Sequence, residues 1–166
     1  MGDWTGTVPT IYAGSVPNGD DWSAITGELT ALSAVLSDWS PILTNLTQGS
    51  GTITAKYTRV GKVVDWYFRF VFGAGSAVGT DPTWSLPATP ASFYPVAEGF
   101  GRFPGEAHLV DSGTAARPGN LFHAAATTVG VTFWNATPTV ATVTATAPWT
   151  WATNDSIAAW GRFWTD

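Results

Sequence analysis

Residues Gln48 to Phe72 read QGSGTITAKYTRVGKVVDWYFRFVF, two runs of strict apolar/polar alternation on either side of a glycine. In the first run Ile53, Ala55 and Tyr57 alternate with Thr52, Thr54, Lys56 and Thr58. In the second, Val64, Trp66, Phe68, Phe70 and Phe72 share one parity, and Val63, Asp65, Tyr67, Arg69 and Val71 the other. A side-chain period of two is what a strand with one face on a core and one toward solvent imposes. The pair is therefore read as an antiparallel hairpin, with Arg59-Val60-Gly61 as a three-residue loop. Gly61 takes the left-handed position there, which glycine occupies at little cost.

The rest of the chain is consistent with more of the same. Of 166 residues only 11% are charged, against 18 glycines, 11 prolines, ten tryptophans and nine phenylalanines. Such a profile suits a mainly β domain with many turns, and the length allows burial of roughly 70% of the unfolded surface. Net charge is −5 and the few basic residues are scattered along the sequence, so nucleic acid is not an expected partner. Without cysteine there is neither a disulfide framework nor a thiolate metal site. The opening Met-Gly-Asp-Trp has no basic stretch followed by an apolar one, so no secretory signal is expected. No apolar run approaches the ~20 residues that membrane insertion requires.

Three regions are expected. Residues 1–20 form an extended arm punctuated by Pro9, Gly14, Pro17 and Gly19. Its Trp4, Val8, Ile11, Tyr12 and Val16 have too little to bury on one another and suit an anchor on a neighbouring surface rather than the alternative, a floppy terminus. Residues 21–40 read as a helix, capped by Asp20 or Asp21 and stopped by Pro41. Trp22, Ile25, Leu29, Leu32, Leu36 and Trp39 recur at spacings of three and four, an a/d seam. With Gly27, Thr26, Thr30, Ser33 and Ser37 inside, this helix is marginal alone and needs a partner. That partner is either its own β-domain or two further copies in a parallel homotrimer. Residues 41–166 then form an antiparallel β-sandwich or jelly-roll. The expected strands are 52–58, 62–72, 83–86, 93–98, 106–111, 120–126, 129–135, 139–146 and 157–164, with loops at 73–82 and 112–119. In the last strand Ala158, Trp160, Arg162 and Trp164 alternate with Ile157, Ala159, Gly161 and Phe163.

The run G-S-G-T-x-x-x-x-Y-x-x-V-G-K-x-V from Gly49 to Val64 resembles a module of actinobacteriophage virion accessory proteins. Trp39-Ser40-Pro41 before it, Ser85-Leu86-Pro87 after it and the closing Pro148-Trp149-Thr150-Trp151-Ala152-Thr153-Asn154-Asp155 fit the same pattern. So does the opening from Trp4 to Gly14. Asn154 stands where the pattern usually carries glycine; asparagine also tolerates a left-handed turn. The resemblance spans nearly the whole chain through turn and core signatures, and implies a virion component assembled in the host cytoplasm. It also favours the trimer among the two helix partners. Placement as a minor tail or fibre-like protein and as a capsid decoration protein both remain open.

Catalytic patterns are sparse. Glu106 and His108 share a strand face and Asp111 lies close in sequence, but a metal site normally needs a third ligand at defined spacing. A hydrogen-bonded strand histidine is the better reading for His108 and His123. No G-x-S-x-G elbow occurs, and nothing selects a glycosidase pair among Asp65, Glu98, Glu106 and Asp111. Neither Asn45-Leu46-Thr47 nor Asn135-Ala136-Thr137 is read as a glycosylation site. Aromatics are the abundant resource. Trp66, Trp151 and Trp160 are assigned to the core, while Trp84, Tyr94, Phe100, Phe103 and Trp134 flank loops and are the candidates for contact with a host-surface glycan, with core or trimer interface as the competing reading for each. The sequence thus points to a non-enzymatic, cofactor-free virion surface protein whose partners are itself and other virion proteins. The competing readings are a glycan depolymerase, a purely structural decoration protein and a free-standing carbohydrate-binding module.

Overall fold

The computed structural model describes residues 36–96, 102–135 and 139–166. Ten strands occur in these segments: β1 (Ser37–Asp38), β2 (Leu43–Thr47), β3 (Thr52–Val60), β4 (Val63–Val71), β5 (Ala77–Ser85), β6 (Arg102–Asp111), β7 (Ala115–Ala125), β8 (Thr128–Trp134), β9 (Val140–Thr142) and β10 (Ser156–Trp164). All pair antiparallel in one hydrogen-bonded ladder of order β1-β3-β4-β10-β6-β7-β8-β5-β2, with β9 added on β8. The protein is mainly β, as the composition and alternation require.

The β3–β4 hairpin pairs Thr52 with Val71 through to Val60 with Val63. Its loop is therefore the two residues Gly61-Lys62, one shorter than expected. Gly61 has φ +57°, and glycine in the first central position is a preference of two-residue loops. Val64, Trp66, Phe68, Phe70 and Phe72 are all buried, and on β10 so are Ile157, Ala159 and Phe163.

This sheet curls onto itself. Phe68 on β4 and Trp84 on β5 stack with ring centroids 4.4 Å apart, although five strand spacings separate them along the ladder, which in a flat sheet is roughly 24 Å. Curling brings the two edge strands together, so residues 39–42 suffice to carry the chain from β1 to β2. Trp39 occupies that seam. Its backbone N–H donates to Ala55 O, its indole N–H to Ser85 O at 3.2 Å, and its ring meets Tyr57 and Trp66 edge-on. Ile42 and Ser85 exchange two further bonds beside it.

Several expectations need correction. Ser37 and Asp38 pair with Tyr57 and Lys56 as a strand, so the helix expected over 21–40 does not include its last residues. Leu36 is exposed, and Trp39 gains more from the seam than from a helical seam position. The anchor residues Trp4, Val8, Ile11, Tyr12 and Val16, and the helix residues Trp22, Ile25, Leu29 and Leu32, lie outside the described residues. Residues 77–82, read as loop, begin β5, and 115–119, also read as loop, begin β7. Asp81 and Pro82 misled the first of these. They sit where β5 bulges between its pairings at Val78 and Thr83, a place that requires no ladder N–H from proline. Residues 92–94 form a turn rather than part of a strand over 93–98, and β9 covers only three residues of 139–146.

Candidate functional site

Curling decides which aromatics face solvent. Trp84 is fully buried against Phe68, and Phe103 is buried against Phe163 and Tyr94. Both are corrected from glycan-facing to core, because β5 and β6 turn these side chains inward. Tyr94 and Trp134 are half-buried. The Tyr94 hydroxyl accepts the Trp164 backbone N–H at 3.2 Å, which fixes the turn over 92–94 to the end of β10. Phe100 lies outside the described residues. Trp66 is core as expected, and Trp151 packs half-buried on Phe72. Trp160, assigned to the core, is instead 39% exposed.

Two buried polar side chains hold loops together. Asp155 is 1% exposed. One of its oxygens accepts the Ser112 N–H at 2.9 Å and the other the Ala152 N–H at 2.7 Å, while its carbonyl accepts Phe72 N–H. It thus ties the β6–β7 turn to the closing W-x-T-x-D segment, where Asn154 adopts the left-handed φ of +74° anticipated for it. His123 is buried beside Phe103, with Nδ1 3.2 Å from Pro95 O. A carbonyl partner makes Nδ1 the protonated nitrogen. Glu106 and His108 are both exposed. Among the described residues no three His, Asp or Glu side chains gather as a metal site would require.

The outward face of β3, β4, β10 and β6 brings together residues that lie far apart in the sequence. Pairing registers set them in cross-strand rows. Thr54, Arg69, Ala158 and His108 form one row. Lys56, Tyr67, Trp160 and Glu106 form the next, then Thr58, Asp65 and Arg162, and finally Val60, Val63 and Trp164. Neighbours within a row stand about 5 Å apart. Tyr67, Trp160 and Trp164 are exposed to 36%, 39% and 52%, and Trp160 and Trp164 are about 13 Å apart along β10. Between them Arg162 makes a two-pronged bond to Asp65, Nε to Oδ1 at 2.8 Å and a terminal nitrogen to Oδ2 at 3.1 Å. Hydrogen bonding to Asp65, and then its charge, raise the guanidinium pKa above its already high ordinary value. A raised base contributes fully below its unfolded pKa and loses the contribution only as pH climbs through the raised one. The guanidinium therefore keeps its charge at any physiological pH. Lys56 pairs with Asp38 at the sheet edge. The signal for this face was present in the alternation of β10, which gives Trp160 the same parity as Arg162; abundance of tryptophan argued for core and obscured it.

No known protein family, curated protein or solved structure matches this chain.

Proposed function

We propose that this protein is a non-enzymatic structural component of a bacteriophage virion, trimeric through its N-terminal region, which displays the curled β-domain at the particle surface as a minor tail or capsid decoration protein. In this reading the domain is a jelly-roll whose two halves stay joined as one ladder. One observation carries the display: the sheet presents Tyr67, Trp160, Arg162 and Trp164 outward on a rigid four-strand face, next to the edge strand where the N-terminal segment enters. Trp, Tyr and Arg are the side chains on which recognition surfaces rely. The motifs from Gly49 to Val64 and from Pro148 to Asp155, and the trimer, rest on the resemblance to virion proteins.

The same face supports glycan contact, which the proposal takes as binding without cleavage. Its carboxylates, Asp65 and Glu106, lie on strands either side of β10 and one row apart. Of the two, Asp65 is held by Arg162 in a two-pronged bond, which supports contact over catalysis. The test is made on purified particles. Mass spectrometry should find the chain in washed virions and antibodies raised against residues 36–166 should label intact ones; absence from washed particles refutes the proposal. Copies per particle then assign the place, a few to tens for a tail and hundreds for a capsid.

A further inference from the structure

Five of the seven basic residues, Lys56, Arg59, Lys62, Arg69 and Arg162, belong to β3, β4, their connecting turn and β10, although the chain as a whole carries −5. Four of these are already neighbours within the β3–β4 hairpin, and folding brings Arg162 beside them. Two are already engaged, Lys56 with Asp38 and Arg162 with Asp65, and Arg59 bonds to Gly61 O and the Thr165 hydroxyl. Arg69 has no hydrogen-bond or ion-pair partner among the described residues. It projects outward on β4 directly beside Ala158, and His108 on β6 stands at the other side of that alanine. The small Ala158 side chain leaves room between Arg69 and His108, and the adjoining row is Tyr67, Trp160 and Glu106.

We infer that this outward face binds a carboxylate-bearing polysaccharide, with Tyr67, Trp160 and Trp164 stacking on sugar rings and Arg69 taking a carboxylate above Ala158. The inference rests on the display reading above and names the ligand class of that surface. Three features select the occupant. Pyranose rings alternate apolar C–H faces with hydroxyl edges, and this surface alternates aromatic rings with the Asp65–Arg162 pair along β10. Burying that solvated ion pair under an apolar protein patch would cost its desolvation, whereas hydroxyls can hydrogen-bond to it. A guanidinium fork matches a carboxylate in two-pronged fashion, and the face already contains one such pairing.

The experiment uses the full-length protein in isothermal titration with polygalacturonate, dextran, polyglutamate and a poly(glycerol phosphate) polymer. Polygalacturonate is expected to bind, and the other three to bind at least tenfold more weakly. Trp160→Ala and Trp164→Ala should each weaken polygalacturonate at least tenfold. Arg69→Ala should weaken it several-fold and flatten its salt dependence, while Arg69→Lys restores some of both. These positions are exposed, so the far-ultraviolet spectrum and unfolding midpoint should not move. Equal binding of polyglutamate overturns sugar recognition, equal binding of dextran overturns the role of charge, and preference for the phosphate polymer overturns the carboxylate. A change of particle mass in light scattering on Trp160→Ala would make the face a subunit interface and overturn the inference. Failure of every polymer to bind also overturns it, and leaves the location of the protein in virions to be judged by the particle assay alone.

Discussion

Among the described residues Asp155 is the acidic side chain that folding takes furthest from water, and its environment explains why it can be there. Two backbone N–H groups from different loops reach its two oxygens, and hydrogen bonds to an ionised acceptor are each worth about 1.5–3 kcal/mol. Asp155→Asn removes the charge and turns an amide NH2 toward one of those N–H groups. Since Ser112 and Ala152 are near the surface, water can take over some of the loss. The expected cost is about 2 kcal/mol, read as a lowered midpoint in urea unfolding with unchanged slope. An unchanged midpoint would mean that the desolvation of the carboxylate cancels its bonds. The same residue shows how chemical type can mislead when read from sequence: a lone carboxylate in a tryptophan-rich segment is here a joint between loops.

Elements were legible where one period governs them alone. The hairpin and β10 follow their alternation, and the core face of β4 was readable residue by residue. Boundaries failed where tertiary contacts outweigh local preference: Ser37–Asp38 is a strand because β3 offers a ladder, and β5 runs through Asp81-Pro82 because a bulge excuses the proline. The exposed face was missed because the shared parity of Trp160 and Arg162 was outweighed by the expectation that tryptophan fills the core. What the G-S-G run does was also hidden until two loops met. Gly49 has φ +55° and a Cβ there would collide with the Gly75 carbonyl carbon, while one on Gly73 would meet Ser50 at 2.5 Å. Ser50 N–H donates to Ala74 O and the Ser76 hydroxyl to Gln48 O, locking the loops. Gly61 is equally left-handed but faces open space. Gly61→Ala should therefore cost only the backbone penalty of about 1–2 kcal/mol. Gly49→Ala should cost distinctly more, since the two loops must also separate. Equal unfolding midpoints for the two variants would refute the interlock.

At the scale of the whole molecule, the seam that closes the curled sheet is made, among the described residues, by Trp39, Ile42 and Ser85. The proposed trimerisation is therefore expected to be separable from folding of the β-domain. Changing Leu29 and Leu32 together to Ser should reduce the light-scattering mass from trimer to monomer and leave the near-ultraviolet circular dichroism of the buried tryptophans intact. A monomeric unmodified protein at micromolar concentration refutes the trimer. Loss of the tryptophan signal in the double variant would show the helix seam packing on its own β-domain instead. The seam has a mechanical meaning as well. Within the described residues, tension that reaches Ser37 along the chain is borne first by the two residue pairs between β1 and β3, and next by the Trp39 indole. A molecule tethered by this end therefore carries its load on the latch that closes the shell, so the grip of the tether and the integrity of the domain give way at the same point.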